Sequence, residues 1–185
     1  QQVDQQIERL TPMVGKYIYG FNRDTLPKVL GDLLKNRGLT ICSAESCTGG
    51  AVASAITSVP GSSQYFMGSV VAYHNHIKTS VLNVSPETLA TYGAVSEETV
   101  LEMAHGAQKV LNADVAIATS GIAGPDGGTP EKPVGTIWMA VAYKDQAIAK
   151  KLNLFKDRAI NIRYTSSAAL NLVRQRLLEM DGEKL

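Results

Sequence analysis

Short apolar runs alternate with amphipathic stretches along most of the chain. β-Branched, aromatic and small apolar residues dominate the runs, which predicts strands at 39–44, 64–73, 113–119, 136–143 and 147–155. The last two can pair as a hairpin across Lys144–Gln146. Helical patterns occupy 2–15, 24–37, 49–58, a stretch containing Lys78, two stretches after Ser85 and Ser96, and 159–180. The alternation predicts an α/β fold, a layered α/β/α domain with a mixed sheet.

Polar residues and glycines mark the ends of several of these predicted helices. We expect Asp24 to cap the helix that carries an apolar stripe from Leu26 to Leu34, and Gly38 to end it in a left-handed conformation. Ser85 and Ser96 are followed by acidic residues, as is typical of a helix start. Residues 1–23, a short polar helix followed by an extended piece at Tyr17–Gly20, form an expected arm or linker, and 24–185 form the predicted domain.

Composition and charge narrow the class of protein. A chain of 185 residues with 44% hydrophobic content can bury one core, and a net charge of +1 offers no broad field for nucleic acid or an anionic membrane. The two cysteines form neither a disulfide framework nor a zinc pattern, so a reducing cytoplasm is expected. The start lacks the pattern of a signal peptide, and because it is not Met we expect a piece of a longer protein.

The first chemistry-bearing segment is Ala44–Gly50, which falls at a predicted strand-to-helix turn. Ser46 could act there as a nucleophile, because the N–H groups of the following residues Cys47, Thr48 and Gly49 would open the helix and favour an oxyanion or a phosphate. Glycines allow a ligand to approach the backbone. The alternative is that Ser46 or Thr48 only caps the helix.

A serine nucleophile needs a base, and the sequence offers two kinds. His74 and His76 at a strand end could supply a histidine base or a two-histidine metal pair, whereas His105 lies within a predicted helix. Lys78 could also accept the proton, provided that burial or neighbouring cations lower its pKa. Its alternative is an ordinary solvated lysine.

Two further segments could bind an anion. The glycine-rich loop 121–128 follows a strand end but has neither a Walker lysine nor a dinucleotide fingerprint. Arg158 and Arg163 open the last predicted helix, where a cation opposes the helix dipole unless something negative compensates. Arg158 is therefore a candidate phosphate clamp, with an exposed arginine paired to Asp157 as the alternative.

Taken together, these motifs are similar to those of the CinA C-terminal domain family, whose characterised activity is the deamidation of nicotinamide mononucleotide. The similarity covers roughly residues 24 to 178. It rests on five ordered segments: Ala44–Gly50, Pro60–Ser63, Val71–Lys78, Tyr92–Thr99, and Ser120–Gly128 followed by Lys132–Thr136. A residue other than histidine commonly fills the positions of His74 and His76 in the family, which argues against chemistry that depends on either.

The resemblance implies a serine/lysine amidohydrolase that needs no cofactor and no metal. Ser46 falls on the family's nucleophile, Lys78 on its general base and Tyr73 on its assisting tyrosine. It also implies a homodimer, fused in intact CinA proteins to an N-terminal molybdopterin-binding-like domain. We expect contacts to the nucleotide substrate from two groups of residues, Glu45, Thr48, Gly49 and Gly50 in the turn, and Ser120, Gly121, Arg158 and Arg163 elsewhere.

Two alternatives stay open at this point. Cys47 could be the nucleophile, since a thiolate at a helix N-terminus is activated. The domain could also bind a nucleotide or a partner protein without catalysing a reaction, because membership of a family does not guarantee activity.

Overall fold

The structure, a computed structural model, describes residues 2–155 and 157–180. Its sheet has five strands in the spatial order β2-β1-β3-β4-β5. The strands are β1 Ile41–Glu45, β2 Phe66–Val71, β3 Val115–Gly121, β4 Thr136–Tyr143 and β5 Gln146–Asn153.

Seven α-helices surround this sheet within the described residues. They are α1 Gln2–Val14, α2 Leu26–Asn36, α3 Ala51–Thr57, α4 Asn75–Ser80, α5 Pro86–Tyr92, α6 Glu97–Val110 and α7 Arg158–Met180, with short 3₁₀ turns at Gly15–Tyr17 and Ser62–Gln64. None of the helices in the described ranges combines the length and apolar character needed to cross a bilayer.

The pairing confirms the prediction of a mixed sheet. β1 pairs in parallel with both β2 and β3, whereas β4 runs antiparallel to β3 and to β5. The helices in the β1–β3 part of the chain provide the crossovers that parallel strands need, and the tight loop Lys144–Asp145 closes the β4–β5 hairpin. All five strands lie where the sequence predicts them, with ends shifted by a few residues.

One face of the sheet carries large side chains and packs against α2, α3 and α7. Val115 and Ile117 of β3 point to this side, as do Met139 and Val141 of β4. The helices contribute leucine, isoleucine and valine to the same cluster: Leu30, Leu34, Val52, Ile56, Leu170, Val173 and Leu177. Burial of these side chains is the main force that holds this layer to the sheet.

The opposite face is lined by small side chains and is covered mainly by α6. Ala116 and Ala118 alternate with the large residues of β3, and Ala140 and Ala142 do the same on β4. Because successive strand residues face opposite sides, one strand serves both layers. The small face lets α6, with its own buried Ala104 and Ala107, approach closely. Helices on both faces give the predicted α/β/α layering.

The structure corrects one predicted helix start. Asp24 does not cap α2, which begins at Leu26 after Thr25. The Asp24 carboxylate instead accepts a hydrogen bond from the Phe21 N–H, and Pro27 lies in the first turn of α2, where a missing N–H costs nothing. The predicted caps Ser85 and Ser96 are confirmed, because their hydroxyls accept hydrogen bonds from the first turns of α5 and α6.

The segment before α2 is built as the sequence suggests. Helix α1 spans the predicted polar stretch and contacts chiefly the 3₁₀ turn that follows it. Several of its apolar side chains, among them Val3, Leu10 and Met13, are exposed. Tyr17 ends the 3₁₀ turn, and extended backbone begins at Ile18. The division into an arm at 1–23 and a domain at 24–185 stays a prediction.

Candidate active site

The carboxyl ends of β1, β2 and β3 meet at one edge of the sheet. Glu45, the last residue of β1, lies opposite Val71 of β2 and Thr119 of β3. The chain segments that leave these strands, starting at Ser46, Ala72 and Ile122, are therefore neighbours. Parallel pairing thus brings three distant parts of the sequence to one place.

The side chain of Lys78 contacts the hydroxyl of Ser46 at this edge. Lys78 lies in the last turn of α4, and its Nζ is 3.2 Å from Ser46 Oγ. The same amine donates to the Ala72 carbonyl over 2.7 Å. The lysine is 1% exposed and the serine 9% exposed, so the pair is shielded from water. The reading of Lys78 as a solvated surface lysine is therefore wrong.

Burial changes the proton affinity of this amine. Desolvation lowers the pKa of Lys78 from its ordinary value, and the nearby Cys47 opposes this only in part. A lower pKa leaves more of the amine neutral near pH 7, and only the neutral amine has a lone pair to accept a proton. With one N–H directed to Ala72, the remaining contact of the amine is the Ser46 hydroxyl.

The backbone of the turn after Ser46 is held by the carboxylate of Glu45. That carboxylate is fully buried and accepts hydrogen bonds from the N–H groups of Gly50, Val52 and Ala53 over 2.8–3.0 Å. Gly50 has φ +101°, a left-handed conformation that only glycine adopts without strain. The structure thus gives Glu45 a role inside the protein, and its expected contact with substrate stays a prediction.

The turn leaves two backbone N–H groups free for a ligand. α3 begins at Ala51, later than expected, and the Gly49 N–H donates to the Ser46 carbonyl over 3.1 Å. Gly49 therefore does not offer the free donor that the sequence suggested. Within the described residues, the N–H groups of Cys47 and Thr48 have no acceptor beyond the Cys47 thiol itself. These two groups are the candidates for an oxyanion hole.

Cys47 is unsuited to act as the nucleophile. Its side chain is 5% exposed and packs against Ala123 and Ile137. Burial raises the pKa of the thiol to about 12, so the reactive thiolate is scarce at neutral pH. The start of α3 does not offset this effect because the Glu45 carboxylate already lies there and repels a second negative charge.

Tyr73, which follows Ala72, forms a second hydrogen-bonded pair with Arg158. The Arg158 guanidinium donates to the Tyr73 hydroxyl and to the Gly124 carbonyl, each over 3.0 Å. It does not pair with Asp157, whose carboxylate accepts the Ile160 N–H at the start of α7. Tyr73 is 60% exposed, and no hydrogen bond links it to Ser46 or Lys78 in the described residues. Its assisting role stays a prediction.

The remaining residues expected to contact substrate have different surroundings. Ser120 is buried, and its hydroxyl donates to the Ala94 carbonyl. Gly121 packs against Ile137, with no room for a side chain. Arg163 lies five residues after Arg158, about 140° around a helix, and lines a groove of about 440 Å³ between α2, α3 and α7. In the described part of the chain, Tyr73 is hydrogen-bonded to Arg158 and not to Arg163.

The histidines take no part in the Ser46–Lys78 contact. His74 precedes α4, and its Nδ1 accepts a hydrogen bond from the His76 N–H, which gives it a capping role. Both side chains are exposed, as is that of His105 on α6. In the described ranges no group of three or more His, Cys, Asp or Glu side chains is placed to hold a metal ion.

Three contributors to the site carry no signal in the linear sequence. The Ala72 carbonyl orients Lys78, and the Thr119 carbonyl accepts the Ser46 N–H over 2.9 Å. Asn161 of α7 is fully buried, and its amide donates to the carbonyls of Ala123 and Phe155. Asn161 thereby fixes the start of the glycine-rich loop beside Arg158. Backbone acceptors and an asparagine four residues into α7 become visible only once the strands are placed.

The fold and the site define a class of protein. It is a layered α/β/α domain in which a buried lysine amine contacts a serine hydroxyl at the carboxyl end of a parallel strand. Comparison with known proteins assigns the family. The model of the CinA C-terminal domain matches residues 23–177, and the chain belongs to this family.

Relatives of the chain are CinA-like proteins of greater length. The CinA-like protein of Cytophaga hutchinsonii is 52% identical over 179 residues, which are 97% of this chain and 43% of that protein. A CinA-like protein of Thermotoga neapolitana is 42% identical over 183 residues, covering 99% of this chain and 42% of the relative. The chain thus spans less than half the length of these relatives.

Solved structures share the fold over most of the chain. Competence/damage inducible protein CihA from Agrobacterium tumefaciens superposes with a TM-score of 0.79 at 38% identity, covering 81% of this chain and 92% of that one. A CinA superfamily protein from Klebsiella pneumoniae gives 0.81 at 34% identity, with coverage of 83% and 96%.

Proposed function

We propose that this domain hydrolyses the carboxamide of nicotinamide mononucleotide to nicotinic acid mononucleotide and ammonia, with Ser46 as nucleophile and Lys78 as general base. The observation that carries the proposal is the 3.2 Å contact between the buried Lys78 amine and the Ser46 hydroxyl. A serine needs such a base to attack an amide, and a lysine needs such burial to be one.

The reaction begins with neutral Lys78 taking the hydroxyl proton while Ser46 Oγ bonds to the carboxamide carbon. The carbonyl oxygen becomes an oxyanion, for which the Cys47 and Thr48 N–H groups are the available donors. Protonated Lys78 then gives its proton to the departing ammonia. Water attacks the resulting ester with Lys78 again as base, which releases the carboxylate and restores Ser46.

Arg158 is the proposed contact for the substrate phosphate. A guanidinium has five N–H donors, and the contacts to Tyr73 and Gly124 use only two of them. The side chain is exposed, so the remaining donors can reach a ligand that covers the site. Arg163 fits this role less well, because it faces the groove beside α2 and α3.

The test is ammonia release from nicotinamide mononucleotide, its riboside and free nicotinamide, measured with wild type, Ser46→Ala and Cys47→Ala. We expect wild type to prefer the mononucleotide and Ser46→Ala to lose at least about 10³-fold in rate. Cys47→Ala is the matched control and should retain activity within severalfold. Activity that survives in Ser46→Ala and disappears in Cys47→Ala would overturn the serine mechanism.

A wild-type protein that binds the mononucleotide and releases no ammonia would instead support a non-catalytic binding domain. The homodimer, the fused N-terminal domain and the cytoplasmic location expected from the resemblance are predictions about the whole protein. They are separate from this test of the domain.

A further inference from the structure

The Glu45 carboxylate is an anion held entirely inside the protein. It is 0% exposed, and an isolated carboxylate in such a place is strongly disfavoured unless it is hydrogen-bonded. One oxygen accepts from the Thr48 hydroxyl at 2.7 Å and from the N–H groups of Gly50 and Val52 at 2.9 and 3.0 Å. The other accepts from the Ala53 N–H at 2.8 Å and lies 3.3 and 3.5 Å from the hydroxyls of Ser43 and Ser69, of which Ser43 donates to Ser69 over 2.8 Å.

These contacts engage three backbone donors of the turn and the start of α3, and the Gly49 and Ala51 N–H groups bond to carbonyls within the turn. Gly50, Val52 and Ala53 direct their N–H groups to Glu45, so these donors cannot reach a substrate. Among the residues that the structure describes, the N–H groups of Cys47 and Thr48, the two positions between the nucleophile and the first glycine, have no acceptor other than the Cys47 thiol. Glu45 therefore satisfies the N–H groups at the start of α3 from inside the protein.

Thr48 connects this carboxylate to the part of the turn that carries the free donors. Its hydroxyl has a single proton, which goes to Glu45 over 2.7 Å, so the Thr119 hydroxyl is the donor in the 2.7 Å contact between the two threonines. The Ser46 N–H is held by the Thr119 carbonyl over 2.9 Å. The backbone from Ser46 to Thr48 is thus fixed at both ends.

We infer that Glu45 is a positioning residue that holds the Ser46–Thr48 turn through Thr48. In this arrangement Ser46 Oγ keeps its contact with the Lys78 amine, and the N–H groups of Cys47 and Thr48 face the reacting carbonyl. This inference rests on the proposed amide hydrolysis, and the expected contact of Glu45 with substrate is the alternative against which it is tested. A preorganised pair of donors acts on the transition state more than on bound substrate, so its loss lowers kcat rather than raising KM.

The first test removes the link and keeps the carboxylate. Thr48→Val has the shape of threonine without the hydroxyl, and we expect kcat for nicotinamide mononucleotide to fall about tenfold or more, as for a disturbed oxyanion hole, with KM within about threefold. Thr48→Ser, which restores a hydroxyl, is the matched control and should recover most of the rate.

A second readout is independent of the natural substrate. A fluorophosphonate probe reacts with an activated serine: the Ser46 oxygen bonds to phosphorus, fluoride leaves, and the hydroxyl proton passes to Lys78. The phosphonyl oxygen needs the same N–H donors as an oxyanion. The labelling rate, followed by intact mass, should fall in Thr48→Val and return in Thr48→Ser.

The next variant removes the charge itself. Glu45→Gln keeps the size of the side chain but turns one acceptor into a donor that faces other donors, and we expect about a 10²-fold loss in kcat and in labelling. Ser43→Ala is the matched control and should keep most of the rate, because Ser43 lies in β1 outside the turn and its hydroxyl is closer to Ser69 than to this carboxylate. If Glu45→Gln fails to fold, the comparison of Thr48→Val with Thr48→Ser still tests whether Glu45 positions the turn.

The outcomes separate the inference from the function on which it rests. Thr48→Val and a folded Glu45→Gln that keep kcat and the labelling rate while KM rises tenfold would show that Glu45 serves substrate binding. A wild-type protein that the probe labels at Ser46 but that releases no ammonia would overturn the proposed substrate and leave the positioning role in force. A wild-type protein that shows neither reaction would overturn both.

Discussion

Replacement of Lys78 by methionine should remove the pH dependence that this buried amine gives to the stability of the protein, and should also remove its activity. Methionine fills a similar volume without an amine that must be kept from water. In the wild type, folding buries an amine whose pKa is thereby lowered, whereas in the unfolded chain the same amine has a pKa near 10.5. Folding therefore requires release of a proton whenever the pH lies between these two values.

The sign and slope of the effect follow from this proton release. Between the folded and unfolded pKa values the unfolded state binds more protons, so the wild-type free energy of unfolding rises with pH by about 1.4 kcal/mol per unit from this residue alone. The contribution is complete above pH 10.5 and is lost as the pH falls to the folded pKa. Lys78→Met lacks this dependence, so its free energy of unfolding relative to wild type should be higher at pH 7 than at pH 10.

One pH-independent effect acts in the variant as well. Loss of the hydrogen bond to the Ala72 carbonyl leaves an acceptor without its donor, which costs about 1–3 kcal/mol. This cost lowers the free energy of unfolding of the variant by the same amount at every pH, so the slope against pH is unchanged. The pH dependence of the difference between variants, rather than its absolute size, therefore reports the burial of the amine.

The assay is urea denaturation of wild type and Lys78→Met at several pH values from 7 to 10. Lys109→Met, which changes an exposed lysine on α6, is the matched control and should leave the slope of wild type intact. The variant should also lose at least about 10²-fold in ammonia release, as expected for a missing general base. Parallel curves for wild type and Lys78→Met would refute the reasoning, because they would show an amine that keeps its proton on folding.

Three further substitutions test other parts of the site. Gly50→Ala should destabilise the protein by about 1–3 kcal/mol in urea denaturation through strain at φ +101°, because the nearest atom, of Val71, leaves room for the methyl group. Arg158→Ala should raise KM for the mononucleotide about 10- to 100-fold with little change in KM for the riboside. If Arg163→Ala gave this result instead, the phosphate would have to be assigned to the groove that Arg163 lines. Asn161→Ala should reduce the free energy of unfolding by about 1–3 kcal/mol, since two carbonyls lose their donor, and an unchanged melting curve would contradict this.

Local pattern alone was enough to predict the elements and one half of the candidate site. Apolar runs and helical periodicity place all five strands and the turn at Ser46, because burial of alternate or periodic side chains acts over a few residues. Helix caps at Ser85 and Ser96 were predictable for the same reason, since a capping hydroxyl acts on N–H groups two or three residues away. Asp24 shows the limit of such reasoning, because a turn before α2 places the Phe21 N–H, rather than a helix N–H, against its carboxylate.

The partners of these residues depended on tertiary structure. Lys78 is 32 positions from Ser46, and nothing near it in the sequence distinguishes a buried base from a surface lysine. The resemblance to a family suggested its role, but the contact arises because β1 and β2 run parallel and end together, which brings α4 over the turn. Arg158 and Tyr73, 85 positions apart, meet for a similar reason.

The turn at Ser46 shows how the two levels combine. From the sequence alone, Glu45, Thr48, Gly49 and Gly50 were all expected to contact substrate, since glycines and helix starts favour anions. The sequence determined that a strand would end there and that glycines would allow a left-handed turn. Only the tertiary structure decided where each N–H group points, because hydrogen-bond direction depends on atoms that the fold brings together: three donors face the buried Glu45 carboxylate, and two remain for a ligand.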